Sequence, residues 1–486
     1  MFKKISFLFA LVFLLSFSAF AQESEYGEPT EQARVLRDKD FKDAMKSPLE
    51  LEDFPYFKSL SYFPNNTNYK VEARYVRTPS EKKFEMPTSS GKSKTAVKYA
   101  EAFFTLNGKE YKLGLYQLEK VAQMEKYKNH LFIPFRDLTS GKETYGVGRY
   151  IDAEIPSGDK IIIDFNRAYN PSCAYNTTKF NCPIPPAENF LKVRIEAGEK
   201  NFHRSAKKDS VDVQPQSRFA MFENNKVHYL DVGKGNTALI FIHGWTCNAE
   251  FWRGSYKAFK NIRVTAVDLP GHGASDKPQA NYTMDYFARS IDAVMKDAKV
   301  TKAVLVGHSM GTPVARQFYR LYPEKTSGLV VVDGGLRPLA PKELVEKFFE
   351  PLKANYKEGA PKFIDGMLTP VKDKNLKAEI RTAMLNTPEH VALSAIDGMN
   401  DEKIWTRDVI KVPTLVIMAK SQMRTNEYEQ YVRSIVPNID YQTWDDASHF
   451  LMMEKADEFN KVLMAFLVKN KFVKEVYVVG IYSVRQ

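Results

Sequence analysis

The stretch Ala303-Val304-Leu305-Val306-Gly307-His308-Ser309-Met310-Gly311 decides the reading of this chain. A short apolar run ends in G-x-S-x-G, and an apolar-periodic segment, residues 312–322, follows at once. That order predicts a buried strand turning sharply into a helix. Gly307 and Gly311 permit the tight backbone, and Ser309 is left exposed at the crest. The first turn of a helix carries unpaired N–H groups, placed beside the serine where an oxyanion can be held. Pro313 falls in that turn, where a missing N–H costs little. The motif alone recurs by chance in loops; the strand before it and the helix after it make Ser309 a candidate nucleophile.

On both sides of this stretch strands and helices alternate, the pattern of a mostly parallel sheet. Residues 219–223 and 227–232 read as a leading hairpin. Residues 238–242 form a buried strand ending in His243-Gly244-Trp245, and 263–267 run into Asp268-Leu269-Pro270-Gly271-His272-Gly273. Residues 284–299 have helical spacing, and 328–332 are another strand. After a long helical excursion, 413–418 and 441–444 resume the sheet and 451–468 close with a helix.

With HGW, DLPGHG and GHSMG in this order, residues 217–470 resemble an α/β-hydrolase. The resemblance implies an oxyanion hole built from the backbone N–H groups of Trp245 and Met310. It also implies the chain order serine, acid, histidine. Of the eight histidines only His390 and His449 follow Ser309. His390 lies within the helical excursion, so His449 is the expected general base. In many relatives the acid follows the strand at 413–418, but here Ala419-Lys420-Ser421-Gln422-Met423 stands there and the first carboxylate is Glu427. Asp333 ends the earlier strand, directly before Gly334-Gly335, where some family members place the acid. Asp333 is therefore preferred, with Glu427 as the alternative. Residues 336–407 form the expected cap. Phe348, Phe349, Phe363, Met367, Met384 and Met399 either pack it onto the core or line an apolar cleft.

The amino-terminal part reads differently. Residues 22–49 are polar and weakly helical, and 50–202 form a β-rich domain. Residues 97–118 read as two strands around Asn107-Gly108, a type I′ hairpin dipeptide. Further strands are expected at 130–135, 145–155, 160–165 and 191–196. The runs Phe165-Asn166-Arg167-Ala168-Tyr169-Asn170-Pro171 before Cys173, and Cys182-Pro183-Ile184-Pro185-Pro186-Ala187-Glu188-Asn189, resemble a bacterial domain-of-unknown-function family. That likeness implies membership and no activity. Arg149, Asp164, Asn166, Tyr169 and Glu188 suggest a polar cluster or pocket; the alternative is that they brace irregular loops. His130 and His203 do not form ligand-spaced clusters, so no metal is expected. A polar linker, 203–216, joins the two parts, and 471–486 form a tail.

Composition sets the remaining bounds. At 486 residues two domains are expected, and 44% apolar with 27% charged residues fits a globular protein. Lys3 and Lys4, an apolar run at 5–20 and Ala19-Phe20-Ala21 read as a signal peptide, residues 1–21, with no later membrane-spanning stretch. The product is then exported, periplasmic or extracellular. The net charge of +11 becomes +9 without the two signal lysines, scattered and without a nucleic-acid motif. In an oxidising compartment Cys173 and Cys182 can pair, leaving Cys247 to packing.

The expected fold class is α/β: an α/β-hydrolase fold, a mostly parallel sheet with a helical cap, preceded by a mostly antiparallel β domain. The expected function is an exported serine hydrolase. It cleaves a small carboxylic ester bearing an apolar group through an acyl-enzyme, with Ser309, Asp333 and His449 and no cofactor. Lactone or C–C hydrolysis and acyl transfer suit the same residues. A non-catalytic envelope-binding protein is the reading from another class, and envelope association through the amino-terminal domain is compatible with either.

Overall fold

The computed structural model describes residues 29–203, 214–259, 262–338, 341–421 and 426–473. The signal segment, most of the linker and nearly all of the tail expected above lie outside the described residues. The chain divides into two compact units.

The first unit is an antiparallel sheet. Its strands are β1 (Lys70–Arg77), β2 (Phe84–Pro87), β3 (Ser93–Leu106), β4 (Lys109–Leu118), β5 (His130–Phe135), β6 (Arg149–Glu154) and β7 (Lys160–Asp164), in the order β6-β5-β4-β3-β1-β7 with β2 on β3. Asn107 and Gly108 both take left-handed backbone, φ 51 and 74, as a two-residue hairpin between β3 and β4 requires. Phe104, Leu113, Ile133, Phe135 and Phe165 are buried in its core. The helix Thr30–Lys42 is tied to this unit by Arg34 and Arg37, which donate to the carbonyls of Asn166 and Asn170.

The strand expected at 191–196 does not form. Its backbone is divided between loop and side chains: Leu191 N–H donates to Arg136 O and Val193 O accepts from Leu138 N–H, while Ile195 N–H donates to Asp137 Oδ2 at 2.8 Å and the buried Arg149 guanidinium donates to the carbonyls of Ile195 and Ala197. Backbone groups held that way are unavailable to a ladder.

The second unit is a mixed sheet of eight strands: β8 (Gln216–Phe222), β9 (Asn225–Val232), β10 (Thr237–Ile242), β11 (Arg263–Val267), β12 (Lys302–His308), β13 (Thr326–Val332), β14 (Thr414–Ala419) and β15 (Ile439–Trp444). The order is β15-β14-β13-β12-β10-β11-β9-β8, with all pairs parallel except β11–β9 and β9–β8. β10, β12, β13 and β14 are buried almost throughout, as strands covered on both faces must be, whereas the edge strand β8 alternates. Four helices, Lys342–Ala354, Tyr356–Met367, Lys374–Leu385 and Glu389–Met399, occupy the excursion between β13 and β14.

The boundary between the units differs from the expected one at residue 50. Lys42–Phe57 belongs with the second unit, where Leu49 and Phe54 are buried and Lys461 Nζ donates to Ser47 O at 2.6 Å. A short apolar stretch among charges gives no sign of which core it will join.

Candidate active site

The carboxyl ends of β12 and β13 build the centre of the second unit. β12 ends at His308, Ser309 takes φ 51, and the helix Gly311–Leu321 begins two residues later. The glycines of the motif are there for space. A Cβ on Gly307 would collide with the carbonyl of Gly311, and one on Gly311 with the carbonyl of Ile242. Gly244 also approaches the serine: a Cβ there would stand 3.1 Å from Ser309 Cβ. The serine is half-buried at the crest.

One strand further along, Asp333 follows β13 and also takes left-handed backbone, φ 45. Its Oδ2 lies 2.6 Å from His449 Nδ1, and its Oδ1 accepts from Ala419 N–H at 2.8 Å. β14 thus has no carboxylate of its own at its end and instead supplies a backbone donor to the carboxylate of its neighbour. Tyr428 clamps the loop after Asp333: its hydroxyl donates to Gly334 O at 3.3 Å and accepts from Leu336 N–H at 3.0 Å. With Nδ1 held by Asp333, His449 keeps Nε2 as its working nitrogen.

The other residues expected from sequence fall into place or out of it. Glu427 is exposed on the helix Asn426–Ile435, while His449 Nδ1 faces Asp333. Trp245 and Met310 are both buried, and their backbone N–H groups have no acceptor among the described residues. Two orphaned buried donors beside a serine can receive a developing oxyanion. Cys247 packs beneath that turn, its thiol 3.4 Å from Trp245 O.

Sequence reasoning missed the buried histidines around the site. His308 Nε2–H donates to His449 O at 2.8 Å, with the two rings 4.7 Å apart, so the residue before Ser309 carries the backbone of His449. Burial, then the neighbouring His449, push the His308 pKa down to about 3, so it is a neutral strut. His243 donates from Nδ1 to Gly244 O at 2.8 Å and accepts Leu269 N–H at Nε2 at 3.0 Å, joining the HGW and DLPGHG loops. His272, driven by burial to about 3, donates to Pro270 O at 3.0 Å. Asp268 anchors the same loops. Burial works to raise its pKa, but His228 and the N–H groups of Ala274 and Ala249 hold it below the usual range. The signal for all four was in the HGW, DLPGHG and GHSMG motifs, whose polar positions were read only as markers.

In the first unit the five polar residues singled out do not converge. Arg149 is buried against backbone carbonyls and Asp137; Asp164 accepts from Asn166, whose amide also bonds the backbone of Asn66. Tyr169 donates to Asp152 at 2.6 Å, and Glu188 takes Tyr116 and Lys98. Each braces its own loop. The centre of this polar core is instead Glu199, fully buried with Asn170, Tyr175 and Arg37 around it. Cys173 and Cys182, the two cysteines that the sequence allows to pair, come together and are both buried. Both sulfurs serve as acceptors, from Cys173 N–H at 3.2 Å and from the Tyr145 hydroxyl at 3.8 Å.

Residues 237–372 match the family described as alpha/beta hydrolase fold, and residues 55–200 match Protein of unknown function (DUF1684). A 2-hydroxy-6-oxononadienedioate/2-hydroxy-6-oxononatrienedioate hydrolase of Burkholderia vietnamiensis is 30% identical over 264 residues, covering 50% of this chain and 91% of that protein. The chain belongs to the α/β-hydrolase family. A second member, the AB hydrolase superfamily protein YisY of Bacillus subtilis, is 23% identical over 49% of this chain and 93% of its own length. Among solved structures, a thermophilic esterase from Thermogutta terrifontis (malate bound) covers 53% of this hydrolase and 99% of its own chain, with 23% identity and a TM-score of 0.47.

Proposed function

We propose that this α/β-hydrolase is a serine hydrolase that cleaves a carboxylic ester through an acyl-enzyme. The observation that carries the reading is the pairing of a serine at a strained strand-to-helix turn, φ 51, with the 2.6 Å His449–Asp333 contact at the neighbouring strand ends. Ser309 Oγ attacks the carbonyl carbon as His449 Nε2 takes its proton. The oxyanion is received by the N–H groups of Trp245 and Met310. His449 then protonates the leaving alcohol, and water, deprotonated by the same nitrogen, releases the acid. Catalytic hydrogen bonds of this kind tighten in the substrate complex.

The cap argues for an apolar acyl or alkyl group. Phe363 stands edge-on to Trp245 at 5.4 Å, with Phe348 and Phe349 at 5.4 and 5.5 Å from Phe363, so an aromatic wall rises from the oxyanion turn. Phe348 is 63% exposed. A second reading, C–C bond hydrolysis by the same residues, is favoured by the 30% identity to the dienedioate hydrolase. Export belongs to this proposal too, resting on the signal-like residues 1–21. No helix among the described residues is long and apolar enough to cross a membrane.

Labelling with a fluorophosphonate tests the proposal. A single adduct on Ser309, mapped by peptide mass and absent in Ser309→Ala, is expected, together with turnover of p-nitrophenyl esters. A folded protein that takes no adduct and turns over no ester would sink it.

A further inference from the structure

The geometry points to a second binding pocket in this chain, for a small organic carboxylate, at the base of the helical cap. A cavity of about 530 Å³ lies between the segment that leads into the cap, with Arg337, Lys342 and Val345, and the segment that leaves it, with Asn400, Glu402 and Trp405. A volume of that size takes a molecule of one ring and a short side chain. Ser309, Asp333, His449, Trp245 and Met310 are not among its walls.

The chemistry of the walls selects the ligand. Arg337 is half-buried and has no carboxylate partner among the described residues, although the other well-buried arginines of this unit do: Arg263 holds Asp231, and Arg316 and Arg320 share Asp408. Its guanidinium lies over the rings of Tyr428 and Tyr431, at 5.6 and 5.1 Å, and the residue lines the cavity. Asn400 adds a buried side-chain nitrogen, Nδ2, with no hydrogen-bond partner. The single acidic wall residue, Glu402, stands 3.5 Å from Lys342, which offsets its charge. A wall with one uncompensated cation calls for an anion, and the planar fork of Arg337 suits a carboxylate. Val345 and the face of Trp405, whose ring N–H is spent on Met399 O at 2.9 Å, offer apolar surface to the rest of the molecule.

Isothermal titration of the full chain with phenylacetate, and with phenylacetamide as the neutral control, tests this. Phenylacetate binds saturably and the amide does not. Arg337→Gln weakens phenylacetate by about tenfold or more, the usual worth of a charged hydrogen bond, and Asn400→Leu weakens it by less. Circular dichroism melts of both variants check that they fold. Blocking Ser309 with a fluorophosphonate leaves the titration unchanged, which separates this pocket from the serine reading. Equal binding of acid and amide, parent-like binding by a folded Arg337→Gln, loss of binding once Ser309 is blocked, or no binding of phenylacetate would each overturn it.

Discussion

Replacing Asp333 by asparagine separates the acid's electronic role from its structural one. Among the described residues the carboxylate reaches His449 Nδ1 from Oδ2 at 2.6 Å and accepts Ala419 N–H at Oδ1 at 2.8 Å. An amide keeps only one of them in its present sense. With its oxygen left on Ala419, its NH2 faces Nδ1, and the imidazole must move its proton to Nε2, the nitrogen that accepts the Ser309 proton in the proposed mechanism. The opposite flip sets NH2 against Ala419 N–H, two buried donors face to face, at a cost of about 1–3 kcal/mol. The first arrangement wins, and it is the wrong tautomer for catalysis. The expected loss is about 10⁴-fold in kcat, or about 5 kcal/mol of transition-state stabilisation, with KM little changed. Asparagine has the volume of aspartate and tolerates φ 45 as well, so the melting temperature should hold. The assay is steady-state hydrolysis of p-nitrophenyl acetate and butyrate beside a thermal melt, with Glu427→Gln as control; that residue is exposed, and its variant should stay within about twofold of the parent. A folded Asp333→Asn enzyme within about tenfold of parental kcat, or a larger loss from Glu427→Gln, would refute the reasoning.

Other perturbations reach different parts of the chain. Gly311→Ala places a Cβ against the carbonyls of Ile242 and His243 and should cost about 1–3 kcal/mol in a thermal or urea melt along with activity; an unchanged melt would show that the elbow has room to spare. Phe363→Ala removes the ring that stands on Trp245, so kcat/KM for hexanoyl and octanoyl esters should fall by about tenfold while acetyl esters change little; a uniform loss across chain lengths would place the acyl group elsewhere. Arg149→Met strands the buried Asp137 carboxylate and three backbone carbonyls, at about 3–5 kcal/mol in the denaturant midpoint, and a neutral result would mean that water replaces the guanidinium. His272 and His308, both buried with pKa values near 3, are neutral when folded but take up protons below about 6.5 when unfolded. The unfolded chain binds the extra protons in that window, so stability falls as pH drops from about 6.5 toward 3, by about 2 kcal/mol per histidine at pH 5. Melting temperatures that stay flat between pH 7 and pH 5 would show that these rings are already charged in the fold.

The hydrolase half was legible because its elements are punctuated by backbone necessity. Gly307 and Gly311 are imposed by two carbonyls, and His243-Gly244 and Asp268 by the loops they lock, so the motif order reports the fold directly. β3 and β4 were equally plain, because Asn107-Gly108 is among the few dipeptides that can turn that corner. What stayed hidden depends on contacts between distant residues. Nothing in Leu191-Lys192-Val193-Arg194-Ile195-Glu196 says that Arg149 and Asp137 will claim its backbone in place of a strand partner. Likewise Glu199 looks like any surface glutamate until Arg37, Tyr175 and Asn170 close over it. The acid could be narrowed to two positions from sequence, and the choice between them is a question of which side chain faces Nδ1 of one imidazole.

Ser309 and Asp333 are held in the same way, and that has a consequence for how the site can vary. Each sits just beyond a parallel strand with left-handed backbone, φ 51 and 45, which costs a residue with a side chain about 1–3 kcal/mol. Each is pinned by a bond from its own N–H to the end of the adjoining strand: Ser309 to Val332 O at 3.0 Å, and Asp333 to Ile417 O at 2.8 Å. The strain is thus carried by the ladder β12–β13–β14, whose residues are almost wholly buried, and not by the cap inserted after Asp333. The placement of serine and acid is therefore a property of the sheet. Sequence change in the cap helices can reshape the aromatic wall beside Trp245 without moving the two strained residues, so substitutions there should alter which substrate is taken before they alter the rate-setting geometry of the proposed triad.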